Sequence, residues 1–219
     1  MSIRFSGAVL ALMSFVFIVT IVLFLVLFGN VDSSGVDGAV TTADRARHVL
    51  KYWATLKIYW VIEATALCAL AASGFVLKDR PSTEKFPTSW FWVLFAIGAV
   101  VNVFMYAFTL GAYPAAAKVV DTTPALYEAM SSASFVVFFL ANALIYLGLS
   151  GALLGESYLS QRVLPQAILI PGAIICLVAS ILVFMGLFVG STIMPFAGPF
   201  AILGFVVVAV FGTAIARKG

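Results

Sequence analysis

From Gly7 to Phe28 the chain runs for 22 residues without a single charge. As a helix at ~1.5 Å per residue this stretch is about 33 Å long, enough to cross the hydrocarbon core of a bilayer. A chain with such a run must satisfy its backbone polar groups internally, which limits it to helices wherever it meets lipid. A cleaved secretory signal would have a shorter apolar core of roughly 7–15 residues and a small-residue cleavage site. Here the run ends LFGNVDSSG, and more apolar runs follow. It reads as a retained first helix.

Five further runs follow, near residues 50–77, 89–113, 125–154, 164–188 and 200–216. The expected fold is therefore an all-α, polytopic bundle of six transmembrane helices, a single transmembrane domain with short loops. Composition agrees, with 63% hydrophobic and only 10% charged residues, where soluble domains carry about 25% charge. The net charge of +3 is small. Its basic residues flank the spans, where they set orientation rather than bind a polyanion, so no nucleic-acid partner is expected. The two cysteines, Cys68 and Cys176, fall inside apolar runs and read as small hydrophobes.

Three segments leave alternatives open. TTADRARHVLKYW, late in the first connector, reads as a helix capped by Thr41 or Thr42; it either lies on the membrane surface or begins the second span early. Pro171-Gly172 would kink the fifth run. GSTIMPFAGP, at 190–199, is apolar yet rich in helix breakers, either a tight interfacial turn or a re-entrant break.

Counting Lys and Arg on each side gives seven with the termini against four opposite, Lys57 set aside as intramembrane. The positive-inside rule then places both termini in the cytoplasm, with the cell membrane of a bacterium as the expected location.

The motifs exclude more than they identify. One histidine, His48, cannot supply a bis-histidine haem or a His-rich metal centre within one chain. C-x-x-C, H-E-x-x-H, the P-loop and the dinucleotide fingerprint do not occur. No metal or cofactor site is expected, and an enzyme is the least favoured class.

Glu63 carries the most weight. It lies 13 residues from Leu50 and 14 from Leu77, at the middle of its run. A carboxylate there costs several kcal/mol unless it is paired, solvated or protonated. Asn102 and Asn142 sit at comparable depth in the third and fourth runs. If their faces converge, Glu63, Asn102 and Asn142 form a midplane polar cluster. Such a cluster serves either as helix-to-helix hydrogen bonding or as a solute or proton site. Lys57, six residues before Glu63, is about 9 Å away along the axis and is expected to snorkel to the near interface rather than pair with it.

Glu128 and Tyr127 open the fourth run on the outer side. They read as ordinary helix-start chemistry, or as an outer gate. Ala72 and Gly74 lie in a small-residue stretch, ATALCALAASG, and mark a candidate helix-packing face. The aromatics near span ends, Tyr52, Trp53, Tyr59, Trp60, Trp90 and Trp92, read as an interfacial belt.

Three functions are compatible with these features. The first is a non-catalytic accessory or assembly subunit packing with other membrane protein subunits. The second is a small-solute or proton transporter or channel built around Glu63. The third is a membrane enzyme or a binder of a lipid-soluble cofactor.

Overall fold

The computed structural model describes residues 2–28, 41–81 and 86–218. Seven α-helices occur among them: α1 (Ile3–Phe28), α2 (Thr42–Lys51), α3 (Trp53–Leu77), α4 (Thr88–Lys118), α5 (Pro124–Ser157), α6 (Gln166–Val189) and α7 (Met194–Lys218). All but α2 are long and apolar enough to cross a membrane, giving six spans. The chain is a multi-pass helical membrane protein.

The second apolar run does not begin as one helix. Thr41 caps α2 with a complete capping box: its hydroxyl takes the Asp44 N–H while the Asp44 carboxylate takes the Thr41 N–H. Tyr52 then leaves helical geometry at ψ 14°, and α3 starts anew at Trp53. The helix predicted late in the connector is thus a separate element. It buries Ala46 against Ala116, Ala117, Val120 and Tyr127 at the ends of α4 and α5. That burial also explains why α4 continues past its internal Pro114 to Lys118, beyond the expected end at Tyr113. Three successive alanines favour helix there, and α2 covers two of them.

At 34 residues, α5 is about 51 Å long, well beyond the ~30 Å hydrocarbon core. Its ends therefore reach past the apolar layer and can carry polar contacts. Only the first part of the 190–199 segment is a turn: Gly190 caps α6 at φ +67°, a 3-10 turn covers Gly190–Ile193, and α7 begins at Met194, six residues before the expected start of the last run, and passes through Pro199. The left-handed φ at position 190 favours glycine.

Each span packs on the next in sequence, and α7 closes back on α1, so the six form a ring of alternating direction. Lipid tails are as apolar as leucine, so close packing rather than water exclusion holds such helices together. The closing seam shows how. A Cβ placed on Gly7 would lie 2.7 Å from the Ala216 nitrogen, and one on Gly212 would lie 2.7 Å from the Gly7 oxygen. The sequences GAVLA (7–11) and GTAIA (212–216) each place small residues four apart, which allows the two backbones to touch. Gly98 and Gly148 allow the same approach between α4 and α5.

Large side chains fill the axis of the ring. Trp92 of α4 stacks on Phe211 of α7 at 6.1 Å between centroids, and Tyr146 of α5 meets Phe205 of α7 edge-on at 5.6 Å. Phe205 also stacks on Phe17 of α1 at 5.0 Å. Two serines tie α5 to α6, Ser150 donating to the Ala173 carbonyl and Ser180 reaching back to that of Ala143, both at 2.8 Å.

Candidate functional site

Glu63 faces inward from the middle of α3 and is only 5% exposed. Tyr106 of α4 donates its hydroxyl to the Glu63 carboxyl oxygen Oε2. Tyr59, one turn earlier on α3, and Thr20 of α1 also lie beside the carboxyl. Tyr59 donates its hydroxyl to the Thr20 carbonyl, and the Thr20 hydroxyl donates to the Phe17 carbonyl at 3.0 Å. The acid therefore sits where α1, α3 and α4 meet, surrounded by hydroxyl groups. Among the described residues no Lys or Arg forms an ion pair with it.

The two asparagines do not join this cluster through hydrogen bonds. Asn142 turns its amide to the Phe138 carbonyl of its own helix at 2.9 Å. Asn102 is 1% exposed, and its Oδ1 has no hydrogen-bond partner. It lies one turn before Tyr106 on the same side of α4. Among the described hydrogen bonds, neither asparagine is joined to Glu63. Lys57 is exposed and forms no ion pair among the described residues.

The other candidates also separate. Tyr127 is 3% exposed and packs beneath α2, its ring 5.3 Å from that of Tyr113. Glu128, next in sequence, points to the exposed side and accepts the Thr42 hydroxyl of α2 at 2.5 Å. The pair joins α2 to α5 from two faces. Gly74 is buried, and a Cβ there would come within 2.8 Å of the Phe95 ring and 3.2 Å of the Trp92 oxygen of α4. Ala72 faces outward and is exposed. Residues two apart on a helix lie about 200° from one another, so Ala72 and Gly74 cannot share one packing face.

A buried ion pair lies just beyond the C-terminal end of α3. The Arg80 Nη2 contacts both oxygens of Glu156 at 2.9 Å, with side-chain exposures of 8% and 4%. Glu156 Oε1 also accepts the Val163 N–H at 2.9 Å, while the Val163 carbonyl accepts Lys218 Nζ at 3.1 Å. One carboxylate thereby ties together the turn after α3, the end of α5 and the turn before α6, and the end of α7 joins through Val163. Arg80 reads in sequence only as a loop cation, and Glu156 only as a loop acid beyond the fourth run. Tyr59 reads in sequence as part of the interfacial belt, whereas the structure sets it beside Glu63, one helical turn away.

Outside the spans, Asp44 titrates below the usual carboxylate range. The Thr41 hydroxyl first, and then the Thr41 backbone N–H, donate to its carboxylate and hold its pKa below the usual value. Among the described residues no group of three His, Cys, Asp or Glu side chains is placed to hold a metal ion.

No protein-family model, curated protein or solved structure matches this chain.

Proposed function

We propose that this chain is a non-catalytic integral membrane protein that acts by packing, as an accessory or assembly subunit of a larger membrane complex. One observation carries the reading: the axis of the six-helix ring is filled by Trp92, Tyr146, Phe205 and Phe211 rather than left as a passage. A ring plugged in this way offers a rigid body with a wide apolar exterior, the form of a protein whose partners lie beside it. The seven-to-four excess of Lys and Arg supports cytoplasmic termini, and the cytoplasmic membrane of a bacterium is the proposed site. Purification in mild detergent followed by mass analysis tests the proposal. Stoichiometric membrane subunits should co-purify, and a chain that purifies alone and moves an ion in liposomes would overturn it.

A second reading, proton or small-solute transport, rests on one specific observation. Glu63 is buried mid-span among hydroxyls without a cation, and one turn from Tyr106 the Asn102 oxygen is unpartnered. Under this reading Glu63→Gln abolishes flux while the bundle stays assembled.

A further inference from the structure

A groove of about 250 Å³ opens to the outside between α1 and α3, lined by Met13, Val16, Val61, Ile62, Thr65 and Ala66. Its lining is apolar apart from the Thr65 hydroxyl, and that hydroxyl is taken up by the Val61 carbonyl at 2.8 Å. On α3 it extends from Val61 to Ala66, about 7.5 Å along the helix. In a bilayer such a groove faces lipid tails.

Lys57 stands one turn before Val61 on the same exposed side of α3, and only four residues into that helix. Among the described residues this ammonium forms no ion pair. A cation in the outer turns of a span is stabilised by reaching the headgroup layer, where lipid phosphates supply counter-charge. Tyr59 and Trp60, the next two aromatic residues, belong at the same interfacial level.

We propose that the α1–α3 seam holds one anionic phospholipid, its phosphate on Lys57 and a stretch of acyl chain in the groove below. Charge complementarity selects the headgroup and the shape of the seam selects the chain. The site does not depend on whether the protein is a subunit or a transporter, since neither role uses Lys57.

Native mass spectrometry of the whole chain in neutral detergent, titrated with phosphatidylglycerol or with phosphatidylcholine of the same acyl chains, tests this. The wild type should bind phosphatidylglycerol about fivefold more tightly, the effect of one Lys near a membrane surface. Lys57→Gln should bind the two lipids equally, and Lys57→Arg should keep the preference. Thr65→Phe, which fills the groove from its open side, should lower occupancy by both lipids. The proposal fails if Lys57→Gln retains the preference, if Lys57→Arg loses it, or if Thr65→Phe leaves occupancy unchanged. A preference that survives Lys57→Gln would assign the anionic lipid to other basic residues of the surface.

Discussion

Glu156 and Glu63 are both buried acids, 3% and 5% exposed, held by different chemistry. Glu156 lies at the end of a helix that outruns the hydrocarbon core, where a turn can bring an arginine to it. Its carboxylate receives Arg80 and a backbone N–H. Glu63 lies mid-span, where a second charge would have to be carried through apolar surroundings, and it receives the Tyr106 hydroxyl instead. The first arrangement requires the charged carboxylate. The second requires only an acceptor. Depth in the membrane therefore decides which kind of partner a buried acid can have, and the role of each acid follows from that.

The strongest test of the contrast is Arg80→Ala. It leaves Glu156 buried without its cation, and breaking such a pair by removing one member costs about 3–5 kcal/mol. Thermal unfolding in detergent should show this as a large drop, with Glu156→Gln close behind because Arg80 is then stranded. Next comes Tyr106→Phe, which removes the donor to Glu63 and should cost about 1–3 kcal/mol by the same assay. Glu63→Ala should fall in the same range, since it leaves the Tyr106 hydroxyl unpaired.

Glu63→Gln sharpens the comparison most, because it removes ionisation while keeping an acceptor for Tyr106. Its stability should stay within about 1 kcal/mol of wild type, in contrast to Glu156→Gln. Equal and large losses for the two Gln variants would show that Glu63 also depends on its charge. A small-residue control lies at the ring's closing seam, where Gly212→Leu should destabilise strongly while the outward Ala72→Leu should have almost no effect.

The smallest effect is expected at the exposed acid, Asp44, whose partners are those of a helix cap. Thr41→Ala should weaken α2 by about 1 kcal/mol, seen as faster amide exchange in Thr42–Lys51. The folded pKa of Asp44 is depressed, so its contribution is present above the usual carboxylate value and is lost as pH falls through the folded one. Amide exchange in α2, corrected for the intrinsic rate, should therefore quicken only at acid pH, and the dependence should vanish in Asp44→Asn.

The order and number of the spans were legible because twenty or so uncharged residues admit only one arrangement in lipid. The mid-run positions of Glu63, Asn102 and Asn142 are likewise a count along the chain. The cap at Thr41 was legible because its partner is three residues away. Direction around the helix axis was not. Asn142 reaches its own helix, Ala72 faces out while Gly74 faces in, and Glu63 finds Tyr106 rather than an asparagine. Those outcomes depend on the rotation of each helix in the packed ring, where close approaches such as that of Gly7 and Gly212 occur. The Arg80–Glu156 pair, 76 residues apart in sequence, needed the ring itself. Hydropathy fixes position along the membrane normal, a local property of the chain, whereas side-to-side partnership arises only when all six helices have packed.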